Sequence, residues 1–261
     1  DRLTVRGRLT PGEYRLPGNV SSQFFTGLLY ALSLLDAPSE IISTTQLESV
    51  DYISMTIEAM TGAGIKVEQS EDKNTCRVYP GKYKNFTGEV EGDWSQAGFW
   101  YAAIALGSSL ELEGMNAFSV QGDMVVVPHF LRLTQPGDVT IDVSGCPDLV
   151  PPLAVMAAVR EGTTHLVNAA RLRIKESDRI AALTAEMRRL GYVLHSDFDS
   201  IGWKGERCTS ESSPIISTYS DHRMAMAFAP AATIFPGLCI ADVGVVNKSF
   251  PQFWIEMRKL G

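Results

Sequence analysis

The chain has 261 residues, 45% of them hydrophobic and 20% charged, enough for one large globular domain or two smaller ones. Its 23 Lys plus Arg against 30 Asp plus Glu give a net charge of -7, which argues against non-specific nucleic-acid binding and requires positive charge for any anionic ligand to be gathered locally. No apolar run reaches membrane-spanning length. The four cysteines (Cys76, Cys146, Cys208, Cys239) form no CxxC pair and the histidines no HExxH, so the thiols read as reduced, in a cytoplasmic protein without a zinc site.

The chain opens on Asp1-Arg2-Leu3-Thr4-Val5, which reads as the middle of a strand. With no initiator Met, the true N-terminus is expected to be missing, and targeting is not readable. After Gly18-Asn19-Val20-Ser21-Ser22-Gln23, the residues Phe24, Phe25, Leu28, Leu29, Leu32 and Leu35 recur at helical spacing. Two hydroxyls and an amide at a helix start fit a phosphate site, and a plain serine N-cap explains them equally well.

Residues 40–68 read as strand (Glu40 to Ser43), loop, helix (Asp51 to Met60), Gly64 and strand (Ile65 to Val67). Residues 163–195 repeat that order: strand (Thr164 to Val167), loop, helix (Asp178 to Leu190), Gly191 and strand (Tyr192 to Leu194). The spacing Ile53, Met60, Gly64 matches Ile180, Met187, Gly191, and the helix end Glu186-Met187-Arg188-Arg189-Leu190-Gly191 recurs as Glu256-Met257-Arg258-Lys259-Leu260-Gly261. In this register Ser49 takes the place of Glu176, and Tyr52 that of Arg179. Between the two blocks, residues 80–92 carry Gly81, Gly88 and Gly92 among polar residues and suit a hinge. Asp93 precedes a helix with a small-residue face (Ala97, Gly98, Ala102, Ala105), and Thr209 to Ser213 reads as a surface loop.

Three polar clusters stand at the front of apolar, helix-like runs: Ser21-Ser22-Gln23, Lys175-Glu176-Ser177-Asp178-Arg179 and Asp221-His222-Arg223. Helix N-termini carry free N–H groups and partial positive charge, so they favour anions. Alone, the Lys175 to Arg179 run reads as a solvated helix start capped by Asp178 as readily as a site. His222 and Arg223 lead straight into Met224-Ala225-Met226-Ala227-Phe228-Ala229, and an Arg entering so apolar a helix points to an anion clamp. Asp148, in Cys146-Pro147-Asp148-Leu149, would by itself be a cap more readily than a base, and Lys248 is weak alone.

Taken in order, Leu16-Pro17-Gly18-Asn19-Val20-Ser21-Ser22-Gln23, Val90-Glu91-Gly92-Asp93-Trp94-Ser95, Pro147-Asp148, Arg173-Ile174-Lys175-Glu176-Ser177-Asp178-Arg179, Asp221-His222-Arg223-Met224-Ala225-Met226 and Lys248-Ser249-Phe250-Pro251 resemble the 5-enolpyruvylshikimate-3-phosphate synthase family along the whole chain. The resemblance implies an α/β fold of repeated strand–helix units in two similar domains (an inside-out α/β barrel), incomplete at the N-terminus. Residues 1–84 would be part of the first, upper domain and 85–261 most of the second, lower one. It implies transfer of the enolpyruvyl group of phosphoenolpyruvate to the 5-hydroxyl of shikimate 3-phosphate, without metal or organic cofactor, by a cytoplasmic monomer with no nucleic-acid or membrane partner.

By the same resemblance Ser21, Ser22 and Ser49 hold the phosphate of shikimate 3-phosphate. Gln23 and Tyr52 contact the same substrate. Asp148 and Lys175 bind its hydroxyls, Asp148 accepting the proton of the attacking one. Glu176 handles the proton at the enolpyruvyl methylene. Arg179, Arg223 and Lys248 clamp phosphoenolpyruvate, with His222 close by. Where the family often has an asparagine four residues before the motif lysine, this chain has Arg171. The chain corresponds to roughly the last three-fifths of the family's length and is expected to be a fragment inactive alone. The rival readings are a UDP-N-acetylglucosamine enolpyruvyl transferase-like enzyme, which lacks the Asp-His-Arg-Met-Ala-Met pattern, and a non-catalytic anion-binding module.

Overall fold

The structure, a computed structural model, describes residue 2 and residues 4–260. The chain divides into two compact units, residues 1–90 with 120–122 and residues 91–119 with 123–261. Each unit has its own hydrophobic cluster.

The first unit contains β1 (Glu13–Leu16), α1 (Ser22–Leu32), β2 (Ser39–Ser43), α2 (Val50–Gly62), β3 (Val67–Gln69) and β4 (Thr75–Val78). Its sheet runs β1-β2-β4-β3, with β1 parallel to β2 and β4 antiparallel to both of its neighbours. The helical spacing read after Ser22 turns Phe25, Leu29 and Leu32 inward, where they join Ile41, Ile53, Met60 and Val78 in one core. Burial of each such side chain contributes about 1.5–3 kcal/mol. Phe24, on the same stripe by spacing, is exposed. Gly64 closes α2 at φ +83°, its N–H donating to Thr61 O and that of Ile65 to Met60 O. That closure consumes Ile65, so the strand expected from Ile65 begins at Val67.

The second unit contains α3 (Trp94–Ala105), α4 (Val126–Leu133), β5 (Val139–Asp142), α5 (Val150–Ala158), β6 (Thr164–Val167), α6 (Arg179–Arg189), β7 (Tyr192–Ser196), β8 (Ser200–Arg207), β9 (Ile215–Ile216), α7 (His222–Phe228), β10 (Cys239–Ile240) and α8 (Phe253–Met257). Its larger sheet runs β5-β6-β8-β7, again with a parallel first pair and two antiparallel ones. The two sheets therefore share strand order and direction, and the repeat read from Ile53/Ile180 and Gly64/Gly191 is a repeat of topology. A third strand–helix–strand piece, β9-α7-β10, has parallel strands.

Asp93 caps α3 by accepting from Ser95 N and Gln96 N, and a Cβ on Gly98 would meet Leu149 Cδ2 at 3.0 Å and Pro152 Cγ at 3.2 Å, so the small-residue face lets α3 approach α5 closely. Helix α5 is buried at every position; its Pro151 and Pro152 stand in the first turn, where a missing N–H costs little.

At the chain's opening, Asp1 and Leu3 lie outside the described residues, and Arg2, Thr4 and Val5 form no strand. Val5 is exposed, with no strand paired beside it among the described residues. The recurrent helix end after Glu256 is a short α8 followed by a 3-10 turn (Arg258–Leu260), and Gly261 lies outside the described residues. Residues 79–93 carry no regular element. No helix among the described residues is long and apolar enough to cross a membrane.

Candidate active site

In the second unit every predicted site residue follows a strand. Asp148 stands after β5 in a 3-10 turn (Pro147–Leu149) that runs into α5. Lys175, Glu176 and Arg179 follow β6 at the start of α6, His222 and Arg223 follow β9 at the start of α7, and Lys248 ends the 3-10 turn (Val243–Lys248) after β10. Side chains beyond the carboxyl ends of parallel strands are the usual place for ligands in α/β sheets. The caps of these helices are side chains that the sequence singled out. Asp178 accepts from Ala181 N, and Asp221 accepts from Arg223 N.

These side chains form one ionic network with Arg179 at its centre. The Arg179 side chain is only 1% exposed. Its Nη1 donates to Asp148 Oδ1 at 2.7 Å, its Nη2 to Glu176 Oε2 at 2.8 Å and its Nε to Asp221 Oδ2 at 2.8 Å. Asp148 also lies 3.6 Å from Lys175 Nζ and 3.1 Å from Arg223 Nη2, and Lys248 Nζ pairs with Glu176 Oε1. Ser177 Oγ donates to Asp221 Oδ2 at 3.1 Å. Arg223 Nη1 donates to Ser95 Oγ at 3.0 Å, which fixes its direction from the start of α3.

The electrostatics follow from this geometry. Burial opposes ionisation of Asp148, but Arg223, Lys175 and Arg179 outweigh it and hold the carboxyl below the usual range. Burial also opposes ionisation of Glu176, yet its bond from Lys248 and the charge of Arg179 bring its pKa down to about 2. Burial lowers the pKa of Lys175 despite Asp148 beside it, and Arg179 and Arg171 push the same way. His222 is held toward neutrality by burial and by Arg223. Its Nδ1 is buried without a hydrogen bond, 3.7 Å from Asp221 Oδ1.

In the first unit Ser21 caps α1, its Oγ accepting from Gln23 N at 3.3 Å, and Ser22 is buried at the first helical position. Ser49 caps α2 in a left-handed conformation, φ +53°, unusual for a residue with a side chain. Tyr52 is half-buried and its carbonyl accepts from Thr56 Oγ1, which meets Thr26 Oγ1 of α1 at 2.9 Å. These residues again follow the parallel strands β1 and β2.

The chain matches the family EPSP synthase (3-phosphoshikimate 1-carboxyvinyltransferase) over residues 2–257. It belongs to the EPSP synthase family. It is 40% identical to a 3-phosphoshikimate 1-carboxyvinyltransferase of Clostridium kluyveri, with 99% of this chain and 64% of that protein aligned, and 38% identical to one of Bacteroides fragilis, with 99% and 68% aligned. It thus spans just under two thirds of the first relative's length. A solved EPSP synthase of Acinetobacter baumannii superposes with a TM-score of 0.80 at 23% identity, over 97% of this chain and 63% of that one. The enolpyruvyl transferase NikO of Streptomyces tendae superposes with a TM-score of 0.65 at 14% identity, over 98% and 65%. The structural likenesses show the fold, the repeated strand–helix architecture of the enolpyruvyl transferases. The relatives give no support to the rival readings of the EPSP synthase motifs.

Two pairings in this network are not legible in the sequence. Asp221 reads in the sequence as part of a motif at a helix start, and the structure makes it also the fully buried counter-charge of Arg179; an Asp standing directly before an apolar helix is the available signal. Ser95 lies 128 residues from Arg223, and nothing in the sequence pairs them.

Proposed function

We propose that this chain carries much of the site of an enzyme that joins shikimate 3-phosphate to phosphoenolpyruvate. The 5-hydroxyl oxygen would bond to C2 of phosphoenolpyruvate while C3 gains a proton; loss of that C3 proton and of phosphate would then restore the double bond. Asp148 takes the hydroxyl proton, and Glu176 serves the methylene carbon. Lys175 orients the shikimate hydroxyls, while Arg179, Arg223 and Lys248, with His222 beside them, hold phosphoenolpyruvate. Ser21, Ser22, Gln23, Ser49 and Tyr52 hold shikimate 3-phosphate. The setting is cytoplasmic and the full-length protein a monomer, with residues 1–84 in the first domain and 85–261 in the second.

One observation carries this reading: two carboxylates of different partners, Asp148 and Glu176, are bridged by the single guanidinium of Arg179 and ringed by Lys175, Arg223 and Lys248. Two anionic substrates repel one another, and such cations offset that repulsion. In the free chain the same cations make both carboxylates poor bases. An anionic ligand that draws Arg223 and Lys248 to itself removes that restraint and raises both pKa values toward the range useful for proton transfer.

The test is turnover by the chain joined behind the N-terminal segment of the Clostridium kluyveri relative, against the chain alone. We expect phosphate release from the joined protein only, with Asp148→Asn and Glu176→Gln each lowering kcat by about 10²–10⁴-fold. A joined protein without turnover, or variants with undiminished kcat, overturns the reading.

A further inference from the structure

Glu186 lies two turns along α6 from Arg179 and is fully buried. A carboxylate is held in such a place only by specific partners. Its Oε1 accepts from the Tyr219 hydroxyl at 2.7 Å, its Oε2 accepts from Ser217 N–H at 3.1 Å, and Arg189 Nε lies 3.2 Å from the same oxygen. Two of these partners belong to the short segment between β9 and α7.

That segment is conformationally demanding. Tyr219 and Ser220 are successive left-handed residues, φ +53° and +57°, and neither is glycine. Such a pair persists only where the surroundings hold it. Beyond it, Asp221 N donates to Thr218 O at 2.8 Å, and the Asp221 side chain meets Arg179. One helix therefore grips the segment twice, through Glu186 at Ser217 and at Tyr219, the first of the left-handed pair, and through Arg179 at Asp221, just after it. His222 and Arg223 follow directly.

We propose that Glu186 is a positioning residue. By pinning Ser217 and Tyr219 it sets the left-handed pair that brings Asp221 onto the start of α7 and aims Arg223 into the ionic network. The ligand affected rests on the function proposed above, in which Arg223 and His222 serve phosphoenolpyruvate; the pinning itself does not.

Two readouts test this. In Glu186→Gln, which keeps the volume but loses the charge and one acceptor, and in the milder Tyr219→Phe, amide exchange at Ser217, Asp221 and Arg223 should quicken about tenfold, while amides of α5 keep their protection. In the joined protein, KM for phosphoenolpyruvate should rise about tenfold in Glu186→Gln, with KM for shikimate 3-phosphate changed less than about twofold. The double variant should be no worse than the worse single one, as expected for one shared interaction. Unchanged exchange across 217–223 overturns the proposal. So does a uniform rise in exchange with both KM values rising together, since Glu186 would then merely support the unit. If the unmodified joined protein shows no turnover, the proposed function fails while the exchange measurement still decides the role of Glu186.

Discussion

Arg179 Nε and Asp221 Oδ2 meet at 2.8 Å across 42 residues of chain, with both side chains shut away from solvent. The pair ties the first residue of α6 to the cap of α7 and, with the Ser177 hydroxyl on the same carboxylate, joins the two helix starts beside Glu176 and Arg223. Breaking such a pair leaves a buried charge without its partner, which typically costs about 3–5 kcal/mol. Asp221→Ala should lower the stability of the second unit by that order, read from the urea midpoint. Asp221→Asn should cost less, because its amide oxygen still accepts from Arg223 N. Equal midpoints for Asp221→Ala and the unmodified chain would show that the pair holds nothing together.

Acid should loosen the same unit in a defined window. Glu176 falls from an ordinary 4.5 to about 2, and Asp148 is also held below its usual value. Both folded-state values are depressed, so the unfolded chain takes up protons first as pH drops. The stabilisation is present above about pH 4.5 and is lost as pH falls toward about 2. Midpoints measured across that window should fall steeply for the unmodified chain and less steeply for Asp148→Asn and Glu176→Gln. Equal slopes would refute the assignment.

Lys248 gives a different expectation. Its side chain is 55% exposed, so its pair with Glu176 adds less than about 1 kcal/mol to stability. Lys248→Ala should leave the urea midpoint nearly unchanged. It should raise the pKa of Glu176 only slightly, since Arg179 still faces that carboxylate, as followed by NMR titration of that side chain.

Calorimetry separates Lys175 from mere scaffolding. Lys175→Ala removes a cation beside Asp148, and we expect titration with shikimate 3-phosphate to show weaker binding by about tenfold or more. Unchanged affinity would remove Lys175 from the proposed shikimate contacts.

Gly202 tests the sheet that carries the site. It sits in β8 opposite His165 of β6, and a Cβ there would meet Thr164 O at 2.5 Å, an impossible contact with backbone. Gly202→Ala should destabilise the second unit by about 1–3 kcal/mol, read as a lowered thermal midpoint. No change would mean that β6 and β8 can separate freely at this point.

Much of this was legible in the chain because local chemistry decided it. Ser21, Asp93, Asp178 and Asp221 each supply a capping oxygen just before an apolar run, so the starts of α1, α3, α6 and α7 were written in a few adjacent residues. Gly64 and Gly191 close helices because a left-handed residue without a Cβ is cheap there. The matched spacing of Ile53, Met60 and Gly64 with Ile180, Met187 and Gly191 announced the repeat. What was misread had the opposite cause. A strand at Asp1 to Val5 requires a pairing partner, which local pattern cannot supply; of that stretch, Arg2, Thr4 and Val5 form no strand, and Asp1 and Leu3 lie outside the described residues.

The sequence by itself determined the residue types, the helix starts and the repeated order of elements, since caps, periodicity and glycine closures act over a few neighbouring residues. Only the tertiary structure decided which charges meet. Glu186 reads as one more acid in Glu186-Met187-Arg188-Arg189 until Tyr219 and Ser217 close over it, and Arg179 reads as a solvated helix start until Asp148, Glu176 and Asp221 converge on it. Burial and ion pairing depend on what distant segments bring to the same place, and that is a property of the folded chain alone.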